Sequence, residues 1–298
     1  MSVIGIGQCA WDVLAMVDCF PNADTKKEVR VWEEQGGGPV ATALVTLARL
    51  GVSCRFHGVT GEDREGAGIR RSLIDEGVDV EGLLVRANSA SQTAFIAVDQ
   101  SSGTRTIFWR RSTGDSLRPE ELAQGFLKGA KFLLLDGLMK DISHFAARQA
   151  RASGVPVMLD AGRARDGMLE LARASDYVVG SEEFGRDLGW TDDAALFKQE
   201  IKKLGLGITT ITLGKRGSVT FVGDEIFTCP AFSVETVDTT GAGDVFHGGY
   251  IFGLLQKWPL KDTIRFASAV AAMKCRKLGG RSGIPRLEEV KQFIEENT

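Results

Sequence analysis

The seven residues Asp238-Thr239-Thr240-Gly241-Ala242-Gly243-Asp244 join a small-residue turn to two carboxylates and run straight into an apolar stretch. Val245, Phe246, Gly248, Gly249, Tyr250, Ile251, Phe252, Leu254 and Leu255 are dense enough in apolar and small residues for a helix buried on most sides. The glycines then lie at that helix's N-terminus, where unpaired N–H groups and the positive end of the helix dipole gather. Gly241, Ala242 and Gly243 lack bulky side chains, so a phosphoryl group can approach the bare backbone and take several N–H bonds at once. Asp244 is the odd member of such a site. An anion site disfavours a carboxylate unless that carboxylate removes a proton from an incoming nucleophile, which makes Asp244 the candidate general base. The bland alternative is a tight turn followed by a favourable first-turn acid.

Other segments offer weaker chemistry. Thr212-Leu213-Gly214-Lys215-Arg216-Gly217 closes a strand; its Gly-Lys pair falls short of a P-loop, because Arg216 replaces the required Ser or Thr and the first glycine is missing. Asp12 follows the first strand, where loop residues commonly bind ligands, against the alternative of a solvent-facing acid. Gly37 and Gly38 would let a ligand approach the main chain, and Lys26 by default is a surface lysine. Gly5-Ile6-Gly7-Gln8-Cys9-Ala10 formally fits a dinucleotide fingerprint and so offers an NAD-dependent oxidoreductase as a rival. The residues from Trp11 to Phe20 have no helical apolar spacing and meet Pro21, which argues against it.

These residues need a scaffold, and the chain can supply one. Its 298 residues are 43% apolar, enough for one large α/β domain or two ordinary ones. A net charge of −3 gives no electrostatic footprint for nucleic acid. Cys9, Cys19, Cys54, Cys229 and Cys275 are odd in number, scattered and never in a C-x-x-C pair, which suits reduced thiols in the cytoplasm. His57, His144 and His247 show no zinc-ligand spacing, and no apolar run approaches membrane-spanning length. Short apolar runs at 3–7, 52–59, 132–135, 155–159, 177–179 and 208–213 read as buried strands. Helical patterns at 40–50, 66–76, 142–152, 194–204 and 262–277 alternate with them, which predicts a mostly parallel sheet with helices on both faces. Trp11 to Glu34 and Ser91 to Arg111 break this rhythm as strand-rich excursions. The second contains a hairpin turning at Gln100-Ser101-Ser102-Gly103.

The string from Asp238 to Asp244, continued as Val245-Phe246-His247-Gly248-Gly249, resembles the C-terminal signature of the PfkB, or ribokinase-like, family of sugar and nucleoside kinases. Gly37-Gly38-Pro39-Val40-Ala41-Thr42-Ala43-Leu44-Val45-Thr46-Leu47-Ala48-Arg49-Leu50-Gly51 resembles its N-terminal signature, and the family pattern runs from Ile4 to Gly283-Ile284-Pro285. The resemblance implies a ribokinase-like three-layer α/β/α sandwich: a single domain over 1–298 with a small β-sheet lid from about 12–35 and 89–111. It implies ATP- and Mg²⁺-dependent phosphorylation of a sugar hydroxyl, with Asp244 as base and Gly241, Ala242 and Gly243 stabilising the transferring charge. Thr212, Gly214, Gly217, Gly243 and Ser268 fall on the ATP side. The small-residue helix 266–272 and the loop from Gly279 to Pro285 wall the adenine by the same resemblance.

On the sugar side the resemblance places Asp12, Gly37, Gly38, Thr42 and, from the lid, Lys26 and Trp109. Thr42 stands where the family commonly has Asn, removing a donor from a ribose-type pattern. Gly36-Gly37-Gly38-Pro39, Asp244-Val245-Phe246-His247-Gly248 and the Lys274-Cys275 to Pro285 ending resemble sulfofructose kinases and their sugar-kinase neighbours. Trp109 and Leu138 occupy that subgroup's sulfonate-binding positions, so the expected acceptor is a neutral hexose or ketose rather than a sulfosugar or nucleoside. The family's Asn-x-x-Glu, linked to Mg²⁺, appears as Ser181-Glu182-Glu183-Phe184, leaving Glu182 or Glu183 as its stand-in or the phosphates and solvent alone. Asp238 either bonds the turn's own N–H groups or, as in the family, sits near a monovalent cation such as K⁺. A homodimer through the lid is a further expectation. A non-catalytic sugar or nucleotide sensor on the same fold is the reading from a different class.

Overall fold

The computed structural model describes residues 2–102 and 104–297; Gly103, assigned above to the hairpin turn, lies outside them. The strands are β1 (Ser2–Ile6), β2 (Ala10–Val17), β3 (Val31–Gly37), β4 (Ser53–Gly61), β5 (Asp79–Arg86), β6 (Thr93–Asp99), β7 (Arg105–Arg110), β8 (Ala130–Leu135), β9 (Val157–Ala161), β10 (Tyr177–Ser181), β11 (Ile208–Thr212), β12 (Ser218–Val222) and β13 (Glu225–Cys229). The helices are α1 (Pro39–Arg49), α2 (Arg64–Asp75), α3 (Lys140–Ala152), α4 (Met168–Arg173), α5 (Glu182–Asp187), α6 (Ala194–Leu204), α7 (Ala242–Leu255), α8 (Leu260–Lys274) and α9 (Leu287–Glu296).

Nine strands form one sheet in the order β13-β12-β11-β10-β9-β8-β1-β4-β5, all in one direction except β12, which pairs antiparallel with β11 and β13 near one edge. Its central strands are continuous apolar runs, as burial on both faces demands. One face packs on α1, α2, α7, α8 and α9 through Leu44, Phe56, Tyr250, Val270 and Phe293. The opposite face packs on α3, α4, α5 and α6 through Ile142, Leu171, Phe184 and Phe197. These are the three layers of an α/β/α sandwich, the expected class. The missed edge strands β12 and β13 lie in a polar, turn-rich stretch where alternation is short. No helix among the described residues is long and apolar enough to cross a membrane.

The remaining strands make a separate sheet in the order β3-β2-β6-β7, drawn from the two excursions. Asp12 therefore lies inside strand β2 rather than on a loop, and the dinucleotide fingerprint fails because β1 leads into β2, not a helix. Register puts Asp12, Ala94 and Trp109 side by side on one face with Gln35; Val13, Phe95 and Phe108 share the other.

Two structural devices bring the candidate residues together. In the large sheet β1 lies between β4 and β8, so successive connections run in opposite directions from it and open a crevice beyond the C-terminal ends of β1 and β8. The second device is the approach of α7 to α1. A Cβ on Gly248 would stand 2.6 Å from Cβ of Thr46 and 2.8 Å from the carbonyl of Ala43, so glycine is what allows the two helices to meet. Gly249 faces Ala267 of α8 in the same way. We expect Gly248→Val to overpack this seam and cost about 1–3 kcal/mol or more in urea unfolding. Substitution to valine at exposed Gln199 on α6 should be nearly neutral.

Candidate active site

Both glycine turns open helices that end at the crevice. Gly38 caps α1 at φ 94° and Gly241 caps α7 at φ 73°, left-handed conformations that glycine adopts without strain. A side chain on Gly241 would meet the Gly280 backbone at 2.9 Å. Neither N-terminus receives a side-chain cap; at α7 the Ala242 N–H donates to the Thr239 carbonyl at 3.2 Å, and at α1 Pro39 carries no N–H.

Asp244 stands in the first turn of α7 and keeps an opening to solvent. Burial and the nearby Asp160 carboxylate push its pKa up to about 6, while His247, Arg105 and Arg281 pull it down. Around it lie three acids raised chiefly by burial: Asp12 to about 7, Asp136 to about 7, and Asp160 at the end of β9. Asp136 follows β8 and accepts hydrogen bonds from the Gln8 and Leu138 N–H groups, at 2.6 and 3.0 Å. His247, one turn beyond Asp244, has Nδ1 2.6 Å from the Gly243 carbonyl; its Nε2 is 3.1 Å from the Val179 carbonyl and 3.6 Å from Asp160.

Asp238 is fully buried and its carboxylate is spent on its own surroundings. One oxygen accepts from the N–H and hydroxyl of Thr240, at 2.8 and 2.7 Å, and the other from the Gly279 N–H at 2.8 Å. That is the turn-bonding alternative. From the small sheet, Arg105 on β7 donates to Thr239 Oγ1 at 2.5 Å, linking that sheet directly to the turn.

The buried guanidinium of Arg281 organises the sugar side of the cluster. It donates to the Gly37 carbonyl (3.1 Å), Thr42 Oγ1 (3.3 Å) and Ser72 Oγ (3.2 Å), and its backbone N–H donates to Gln35 Oε1 at 3.0 Å. Thr42 Oγ1 thus accepts from Arg281 and keeps its own O–H to donate. The loop carrying Arg281 turns to α1, while Ser268, Ala271 and Ala272 from the α8 segment line the neighbouring cavity. Gly37 must be glycine because a Cβ there would collide with the Asp12 carboxylate. Trp109 is half-exposed on the Asp12 face, with the Arg111 guanidinium 4.9 Å above its ring. Lys26 is exposed between β2 and β3 with no hydrogen bond or ion pair to another described residue that would bring it into the cluster.

A cavity of about 400 Å³ adjoins the α7 N-terminus. Thr212, Gly214, Gly217, Gly243 and Ser268, which the resemblance puts on the ATP side, line it together with Lys215, Thr239 and the segment from Ala231 to Thr236. Gly217, at φ 87°, would drive a Cβ into the Cys229 carbonyl. Beside it, the fourth position of the altered metal motif is Phe184, buried in the core, while Glu182 pairs with Arg186 and Arg216. Glu183 is largely exposed, 3.2 Å from Arg163. Among the described residues no three His, Cys, Asp or Glu side chains converge on a metal position. That donor set fits Mg²⁺ carried by nucleotide phosphates and water.

Sequence reasoning missed Asp136, Asp160, His247, Gln35 and Arg281. Asp136 and Asp160 each end an apolar strand run, a signal that could have found them. Arg281 carried none, since its partners are scattered from Gln35 to Ser72. Gln35 Nε2 is a buried donor without a partner among the described residues.

The chain is similar to known proteins over its whole length. Residues 2–287 match the pfkB family carbohydrate kinase model, and the chain belongs to that family, whose members are ATP-dependent phosphotransferases. It is 30% identical to the ATP-dependent ribose-1-phosphate kinase of Halopiger xanaduensis, with 99% of this chain and 98% of that protein covered. The Thermotoga maritima ribokinase structure superposes with a TM-score of 0.83 at 25% identity, covering 98% of this chain and 99% of that one. Arabidopsis thaliana ribokinase, solved with ribose and ATP, gives 0.84 at 24% identity, covering 98% of each.

Asp244 must be ionised to accept a proton, so kcat/KM should rise with pH along an acid limb near pH 6. Asp244→Asn should lower kcat by about 10³-fold. Because folding raises this carboxyl's pKa, its contribution to stability is lost as pH rises through about 6. The Asn variant should therefore unfold at the same or a higher temperature than wild type at pH 8, measured by calorimetry.

Proposed function

We propose that this kinase phosphorylates a hydroxyl of a neutral hexose or ketose by direct in-line transfer from MgATP. The single observation behind this reading is the placement of Asp244 at the uncapped N-terminus of α7, between the cavity lined by Thr212, Gly214 and Ser268 and the Asp12 face of the small sheet. Asp244 takes the hydroxyl proton as that oxygen attacks the γ-phosphorus. The Gly241, Ala242 and Gly243 N–H groups receive the charge of the transferring group. Asp12 accepts sugar hydroxyls, Gly37 and Gly38 let the ring lie against the main chain, and Trp109 covers it. Mg²⁺, when bound with ATP, would neutralise phosphate charge, and Glu183 would be the carboxylate to hold it. The small sheet acts as the lid of a single 1–298 domain, excluding water that would compete as acceptor.

A neutral acceptor is favoured because all three guanidinium nitrogens of Arg281, the buried cation beside Asp12, already donate to protein oxygens. An anionic group at that end would find only the two remaining N–H groups of Arg281 and would face the Asp12 carboxylate beside them. Ribose 1-phosphate is a second reading, favoured by the Halopiger relative and by exposed Lys26, Arg110 and Arg111 on the lid segments. The outer lid face supports a homodimer. Trp32, Phe95 and Phe108 form an exposed aromatic row there, with centroids 5.9 and 6.4 Å apart, matching what a second copy could bury.

ADP release from ATP, measured over hexoses, ketoses, ribose, ribose 1-phosphate and nucleosides, should show the highest kcat/KM for a hexose or ketose. A preference for ribose 1-phosphate would select the second reading, and turnover of none would leave the sensor. Trp32→Ser combined with Phe108→Ser should convert a dimer to a monomer in light scattering; a monomeric wild type would refute the pairing.

A further inference from the structure

Lys274 ends α8 with its whole side chain buried, in a place the phosphoryl-transfer chemistry has not used. Removing an ammonium from water is costly unless oxygen partners replace its hydration. Its Nζ donates to the Asp238 carbonyl at 2.8 Å, on the main chain that leads into Thr239, Thr240 and Gly241. The Lys274 ammonium therefore lies behind the catalytic turn on the core side, opposite Arg105, which touches Thr239 from the lid.

The surrounding backbone is tied closely to this position. The Cys275 carbonyl accepts from the Val237 and Asp238 N–H groups, at 2.8 and 3.2 Å, and Gly279 N–H binds the Asp238 carboxylate. Gly283 packs so tightly on the Lys274 backbone that a Cβ there would stand 3.1 Å from Lys274 Cα. Two loops thus enclose one positive charge beside a carbonyl and within the field of Asp238 and Asp244. Carbonyl oxygens around a buried positive charge form the setting in which proteins hold K⁺. Here the positive charge is covalently attached.

We propose that Lys274 is a built-in monovalent cation: its ammonium holds the Asp238–Gly243 turn in its anion-binding shape, so that the enzyme needs no K⁺. The proposal rests on the kinase reading for its activity test. Lys274 acts through the turn and is a positioning residue.

The test compares wild type, Lys274→Met and Lys274→Gln in tetramethylammonium, potassium and ammonium chlorides at equal ionic strength. Wild-type turnover should be the same in all three salts. Lys274→Met should lose about 10²-fold in kcat in tetramethylammonium chloride and recover much of it in potassium or ammonium chloride. Lys274→Gln keeps a donor for the Asp238 carbonyl but carries no charge, and should show the same dependence if charge is what matters. Calorimetric ADP binding and thermal unfolding need no acceptor sugar. K⁺ should raise ADP affinity and melting temperature in the variants only. Stimulation of wild type by K⁺ overturns the proposal, as does a folded variant that works fully without K⁺ or that K⁺ fails to rescue in either readout. If neither variant folds, the wild-type salt comparison decides. If no sugar is phosphorylated in any salt, the kinase reading fails while the ADP and melting measurements still judge Lys274.

Discussion

The approach of α7 to α1 is the constraint on which the site depends. Gly248 lets these helices close on Thr46 and Ala43, setting their N-termini at one crevice. One terminus carries the Gly37-Gly38 turn facing Asp12; the other carries Gly241 to Asp244 facing the cavity. A methyl group at the seam would separate the two turns, and with them the donor and acceptor sides. The buried guanidinium of Arg281 reinforces the arrangement from the C-terminal loop by joining β3, α1 and α2.

Around that joint the fold gathers charge that burial opposes. Asp12, Asp136, Asp160 and Asp244 are all raised, and Arg281 is pushed down to about 10, each chiefly by loss of water. Such a cluster opposes stability and gives reactivity: a base near neutrality in a cleft where fixed N–H dipoles act strongly. Arg281, Lys274 and Arg105 are distributed through the same region, so carboxylates and cations offset one another across separate loops.

The parallel sheet, its main covering helices and the hairpin of the small sheet were legible because apolar period and turn residues are local signals. The catalytic turn was legible for the same reason. Asp136 and Asp160 were overlooked although each closes an apolar strand. The contacts of Arg281 with α1 and α2 were not legible, because nothing in Gly279-Gly280-Arg281 indicates which way its loop turns. The bond between Thr42 and Arg281 was not legible because the two lie 239 residues apart. Glu183 was readable only as a substitute, since the buried Phe184 took the position of the family's acid.

The sequence alone determined the reaction class, because the small-residue turn and the first-turn Asp244 are written in consecutive residues whose backbone freedom and dipole direction are local. It also determined the sandwich, because strand and helix periods are local. Only the tertiary structure decided how Asp12 is held, what the Asp238 carboxylate binds, and where the buried charges of Arg281 and Lys274 lie. Those depend on partners far apart in the chain, and on a burial that exists only once the layers have closed.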